Sequence, residues 1–200
     1  MSIRTILLLS ILFVSGAVAD AQALGLKAQA NVSGGLATVT VEDSDQDYTI
    51  GFGRGFGVGL LLDAGVLAAG PYFQYSAGGP HKADGSDTQT EFTVSTSAFG
   101  LVLKLNVPLV VLQLNAGYIT GDATFERQNV SVSFDGSGYT LGVAAGFSIP
   151  IVPMFNLEVG PYVEYRQLKF EERIGIVTLT TTGNAFQFGL MLQAVFDLPI

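Results

Sequence analysis

The 200-residue chain has no cysteine, no tryptophan, one histidine (His81), and only 9 Lys and Arg against 17 Asp and Glu. Each shortage removes a class of protein. Without cysteine there is neither a disulfide framework nor a thiolate metal site. At a formal net charge of −8, no basic surface exists to neutralise phosphates, so nucleic acid is excluded as a partner. Beyond the first residues, no segment approaches the ~20 uninterrupted apolar residues of a helical span. A membrane, if this chain crosses one, is crossed by strands.

What is present begins at the N-terminus. Arg4 precedes an apolar run from Ile6 to Val14, followed by small residues at Ala17-Val18-Ala19 and Ala21-Gln22-Ala23. That order reads as a secretory signal peptide over residues 1–23, cleaved after Ala19 or Ala23. Residues 24–200 then form one mature domain, with no linker-like stretch inside it.

The mature chain alternates by character with a period of two. Between Asn156 and Arg166, Leu157, Val159, Pro161, Val163 and Tyr165 share one face, while Glu158, Tyr162, Glu164 and Arg166 share the other. The same alternation predicts strands near 24–34, 48–61, 66–77, 92–105, 110–120, 138–149, 156–166 and 184–197. Each has about the tilted length that crosses a bilayer. In the second strand, Gly51, Gly53, Gly55, Gly57 and Gly59 form one face, leaving space for bulky residues opposite. Pro71 and Pro161 fall inside strands, where each deletes a ladder donor and predicts a local irregularity. Three segments change phase: Ala37, Val39 and Val41; Phe92 and Val94; Val130, Val132 and Phe134. These predict bulges, with strands continuing beyond the membrane as a projecting sheet whose edge is able to recruit a partner strand.

Connections alternate in length. Residues 62–65, 106–108 and 150–153 are short turns, whereas those near 35–47, 78–91, 121–137 and 168–183 are longer and polar. An even strand count with short turns at one end and long loops at the other is the layout of a transmembrane barrel with both termini in the periplasm. On this pattern the chain resembles the small eight-stranded outer-membrane β-barrel family, of the OmpX-like and OmpA-transmembrane-domain-like kind. The resemblance implies an all-β fold, an eight-stranded antiparallel up-and-down transmembrane β-barrel, in the bacterial outer membrane. It also implies a monomer without cofactor that serves surface structure, adhesion or envelope integrity and has no catalytic role. The implied partners are outer-membrane lipid and lipopolysaccharide, the outer-membrane assembly machinery, and an extracellular protein met through the loops. Family members usually end on a terminal Phe, whereas here Phe196 is followed by Asp197-Leu198-Pro199-Ile200.

Several residues stand out as candidates. Lys27, Lys104, Glu158, Glu164 and Arg166 all face inward, where eight strands leave room only for side chains, so they predict a plug of ion pairs and hydrogen bonds. Arg54 shares phase with Phe52 and Phe56 near the outer interface. There it either snorkels or grips a lipopolysaccharide phosphate, unless a phase slip turns it into the lumen. The acids Glu42, Asp43, Asp45 and Asp47 lack the Gly and distal Glu of an EF-hand loop and read as a solvated cluster. His81, with Asp84 and Ser86 nearby in a Gly-Gly-Pro-His loop, is the one hint of a lipid-modifying enzyme. A rival of another class is a secreted lipocalin-like barrel, whose apolar faces would point inward to a small ligand.

Overall fold

The computed structural model describes residues 24–41, 47–82, 90–107, 109–127, 130–174 and 177–198. The signal-peptide expectation, and the acidic cluster from Glu42 to Asp45, lie outside the described residues. Eight strands form: β1 (Gly25–Val41), β2 (Asp47–Asp63), β3 (Leu67–Lys82), β4 (Thr90–Val107), β5 (Val110–Arg127), β6 (Val130–Val152), β7 (Phe155–Ile174) and β8 (Val177–Leu198). Each pairs antiparallel with its sequence neighbour, and β1 pairs with β8 from Leu26↔Leu198 to Val41↔Gly183, closing the ring. Closure leaves no edge within the wall, which is what allows a sheet to sit in hydrocarbon without orphaned backbone donors.

The strands are 16 to 23 residues long, against the ~9–11 that a bilayer requires. Most of what the sequence presents as long polar loops is therefore strand. The β5–β6 ladder runs unbroken to Arg127↔Val130 and the β7–β8 ladder to Ile174↔Val177. At the opposite end, termed here the turn end, the connections are short and each carries one residue at positive φ: Gly65 (81°), Leu109 (68°) and Met154 (80°). Pro153 before Met154 is the pairing of a type II turn, with proline setting φ at the first corner.

Pro71 and Pro161 act as expected, and in the same way. The β2–β3 ladder skips from Gly59↔Tyr72 to Leu62↔Ala69, and the β6–β7 ladder skips from Ala144↔Tyr162 to Phe147↔Val159, with no change of register. A glycine precedes each proline, and a Cβ there would lie 1.9 Å (Gly70) or 2.0 Å (Gly160) from the carbonyl oxygen of Leu60 or Ala145. The Gly-Pro pair thus lets the neighbouring backbone close in where the ladder bond is missing.

The sidedness of the wall inverts along the strands. Through the turn-end half, outward positions are apolar and exposed, among them Phe99 (66%), Leu101 (68%) and Leu190 (65%), while inward positions include Gln29, Gln74, Lys104, Gln113, Glu158 and Gln193, all buried. That orientation overturns the lipocalin-like alternative. Above the row Phe73↔Phe99↔Tyr118↔Tyr139 the outward positions become polar: Ser97, Thr120 and Ser137, then Ser95, Asp122 and Asp135. The inward positions become hydrocarbon at the same level. Val39, Phe92 and Ala123 form one buried cluster and Ala98, Ile119 and Leu168 another, with Val94 and Phe170 packed against both. The far half is built like a soluble barrel; the turn-end half is built for lipid.

This inversion corrects the reading that β1, β4 and β6 themselves slip phase, although register shifts do fall beside two of the three segments, at Ala37/Val39 and opposite Phe92 and Val94. The β4–β5, β5–β6 and β1–β8 registers are continuous through Phe92, Val132 and Val39. All three keep their phase; Val39 and Phe92 point inward and are buried, because the interior beyond the membrane is a core there, whereas Val132, on the part of β6 that has left β7, is exposed. Register shifts do occur at Ala37/Val39 in β1–β2, at Gly78/His81 in β3–β4 and at Pro150/Val152 in β6–β7. His81 likewise belongs to β3, paired with Phe92, and not to a loop; Asp84 and Ser86 lie outside the described residues.

Candidate functional site

The lumen is stacked in layers, each supplied by side chains that the period of two aims at the axis. At the turn end, Lys27 Nζ lies 2.8 Å from Asp63 Oδ2 and 3.6 Å from Asp197 Oδ1. This triad joins β1 to both flanking strands, since Gly25 pairs with Asp63 and Lys27 with Asp197. Neither acid stood out in the sequence: Asp63 reads there as a turn residue, and Asp197 as part of the atypical C-terminus.

Deeper in, Lys104 Nζ donates to Glu158 Oε2 at 2.7 Å, and Gln193 Nε2 donates to the same oxygen at 3.2 Å and to Gln29 Oε1 at 2.8 Å. Lys104 is 2% exposed and Glu158 6%. A vestibule of ≈ 420 Å³ opens to the turn end, with both residues in its lining beside Asn106 and Asn156. Leu61, Ala68, Tyr72 and Val102 form a small hydrocarbon cluster in the turn-end half of the lumen.

The middle layer centres on Glu164 and Arg166, two residues apart on β7 and so on one face. Arg166 Nε donates to Glu164 Oε1 at 3.0 Å and its Nη2 to Oε2 at 2.8 Å, a bidentate fork. Glu164 also accepts from Thr140 (2.8 Å) and Gln74 (3.0 Å). Arg166 Nη2 further donates to Ser76 Oγ (2.8 Å) and Gln187 Oε1 (3.0 Å), its Nη1 reaches Thr96 Oγ1 at 3.4 Å, and Gln187 Nε2 donates to the Tyr162 hydroxyl. The pair is thus satisfied from β3, β4, β6 and β8 as well as from β7 itself, which is what a buried ion pair requires if its desolvation is to be offset. A cavity of ≈ 20 Å³ beside Asn31, Gln74 and Glu164 is about the space of a single water.

The five inward residues singled out from sequence therefore do not form one network. Lys104 joins Glu158, Glu164 joins Arg166, and Lys27 takes two acids of its own. The amides and hydroxyls that complete the layers, above all Gln29, Gln74, Gln187 and Gln193, were legible only as inward-facing polar positions. Two of them occupy space over the β2 glycines: a Cβ at Gly53 would meet Gln187 at 2.6 Å, and at Gly59 would meet Gln29 at 2.9 Å. Above lie the hydrocarbon clusters, where Phe92 and Ile119 are inaccessible. The plug expected from sequence is partly hydrocarbon.

Outside the wall, Arg54 points outward and is exposed, in phase with Phe52 and Phe56. Among the described residues it makes no ion pair, whereas Lys27, Lys104 and Arg166 each do. It borders an exterior groove of ≈ 290 Å³ that continues past Ser95 to Asp122. Asp122 sits directly opposite Asp135 across the β5–β6 ladder. A hydrogen bond to Asp135, then partial desolvation and the repulsion between the two carboxylates, hold the Asp122 carboxyl above its ordinary range.

The model of one protein family, described as the outer membrane protein beta-barrel domain, matches residues 6–193. Among solved structures, the chain is similar to Neisserial surface protein A (14% identity, 88% of this chain and 100% of that one, TM-score 0.51). It is also similar to a major outer membrane protein from Thermus thermophilus (11% identity, 88% and 100% coverage, TM-score 0.52). At such identities the likeness is one of fold. No curated protein sequence matches.

Proposed function

We propose, since this chain belongs to the outer membrane protein beta-barrel domain family and resides in the bacterial outer membrane, that it is a filled, non-enzymatic barrel serving adhesion through its projecting sheet. The observation that carries this reading is the parting of β6 from β7. Their ladder begins at Gly136↔Phe170, yet β6 stays paired with β5 out to Val130 and β7 with β8 out to Ile174. Two hairpins therefore separate beyond the membrane, and the β6 segment from Val130 to Ser133 presents a strand edge toward the gap. Its Val-Ser-Val-Ser alternation suits an added strand. Backbone hydrogen bonds would supply affinity there, and an extended segment of an extracellular protein is the partner this edge fits. The filled lumen supports a role at the surface over one in conduction. The rival enzyme reading rests on Asp84 and Ser86, which lie outside the described residues.

The test is adherence to cultured mammalian cells of a non-adherent Gram-negative strain displaying the chain. Consecutive backbone N–H groups in a strand point to opposite neighbours. Of Val132→Pro and Ser133→Pro, one therefore removes a donor from the β5–β6 ladder and the other only a donor at the free edge. The edge-facing proline should abolish adherence while the folded form still shifts on boiling in SDS electrophoresis, and His81→Ala should change nothing. Wild-type adherence by both proline variants would defeat the reading.

A further inference from the structure

We infer that the exterior groove beside Arg54 is a seat for a phosphorylated glycolipid of the outer leaflet, lipid A of lipopolysaccharide, with its phosphate on the Arg54 guanidinium. The groove exists because the wall recedes there. β2 and β3 stop pairing at Gly53↔Gly78, β3 carries only the small Ala77, Gly78 and Gly79 there, and Gly79 takes a φ of 132° beside the register shift. The result is a concave floor of ≈ 290 Å³ with Arg54 on one side and Thr93, Ser95, Asp122 and Thr124 on the other.

The height fits a lipid headgroup. Arg54 lies nine residues up β2 from Asp63, which at ~3.3 Å per residue and a ~40° tilt is about 23 Å above the turn end. An outward apolar band is about 25 Å tall, so the guanidinium stands at its outer rim, level with the plane of lipid phosphates. Among the described residues Arg54 makes no ion pair, Asp122 standing across the groove and not against it, so the guanidinium is open to an anion from the lipid, and it takes phosphate through two parallel hydrogen bonds. Phe52 and Phe56, exposed on either side of Arg54, and Tyr75, whose ring centroid is 5.5 Å from that of Phe56, offer an apolar bed for acyl chains.

The far side of the groove decides the class of lipid. Three hydroxyls and a carboxylate complement sugar hydroxyls, which both donate and accept. A phosphatidylglycerol headgroup offers them only its two glycerol hydroxyls and no sugar ring to reach across the groove from Arg54, and Asp122 would repel a second phosphate placed beside it. The seat therefore pairs a phosphate at one end with a hydroxylated sugar at the other. This inference is independent of the adhesive edge on β6.

The experiment measures binding of bis-phosphorylated lipid A to the full barrel in detergent micelles, with phosphatidylglycerol and fully dephosphorylated lipid A as comparison ligands. Wild-type protein should bind lipid A more tightly than either, and Arg54→Ala should weaken lipid A by about tenfold or more, the loss expected for charge-assisted hydrogen bonds. Ser95→Ala combined with Thr124→Ala should weaken lipid A and leave phosphatidylglycerol unchanged. Equal affinity for lipid A and phosphatidylglycerol would overturn the glycolipid assignment, and an unaffected Arg54→Ala variant would overturn the site. If that variant fails to fold, the dephosphorylated ligand on wild-type protein decides: undiminished binding refutes the inference.

Discussion

Replacing Lys104 by Met leaves Glu158 buried against a neutral side chain of similar length, with Gln193 as its remaining donor at 3.2 Å. Both charges are more than nine-tenths buried, so neither regains full hydration when its partner goes, even with the vestibule beside them. Breaking a buried pair from one side costs about 3–5 kcal/mol, because an uncompensated charge remains. Removing both is different. In Lys104→Met with Glu158→Leu, the interior loses both charges of the pair and gains packing against Val195, which lines the same vestibule. The double variant should lie within about 1 kcal/mol of wild type, giving a coupling of several kcal/mol between the two sites. The assay is urea unfolding in lipid vesicles. It is followed by far-UV circular dichroism, since the chain has no tryptophan to report by fluorescence. If either single variant costs less than about 1 kcal/mol, or if the double variant costs the sum of the singles, the pair is not holding the lumen as described.

Gly160→Ala should prevent recovery of the compact, heat-shifted form, because its Cβ would sit 2.0 Å from a backbone oxygen that has no room to move, whereas Gly142→Ala, with nothing nearer than 3.7 Å, should refold normally. Phe92→Ala should cost about 3–5 kcal/mol and expose the far half of the barrel to protease while the lipid-facing half keeps its resistance to cold SDS. The Asp122–Asp135 pair gives the projecting β5–β6 hairpin a pH dependence of defined sign. A carboxyl held above its ordinary range contributes stability that is present below its unfolded value and is lost as pH rises through the folded one. Amide exchange at Thr120 to Thr124 should therefore be slower near pH ~4 than at pH ~7, beyond the intrinsic trend. Asp135→Asn should flatten the difference, and an unchanged profile in that variant would remove the carboxylate pair as its source.

What the sequence determined by itself was the ring and the sidedness of the half that meets lipid. A period of two with hydrocarbon on one face and Lys104, Glu158, Glu164 and Arg166 on the other has a single low-energy solution in a bilayer. The short turns and the even count then fix the topology. The inward direction of the candidate charges followed from phase, as did the interruptions at Pro71 and Pro161. Tertiary structure alone decided three things. The partners of Lys27 and Lys104 depend on cross-strand register, which brings together residues 54 and 170 positions apart and leaves no trace in local pattern. The direction of Val39 and Phe92 depends on where the membrane ends, since the same alternation is satisfied by lipid outside or by a core inside, and a strand carries no mark of which solvent surrounds it. The groove at Arg54 and the split between β6 and β7 arise where neighbouring ladders stop, a property of pairs of strands that no single strand contains.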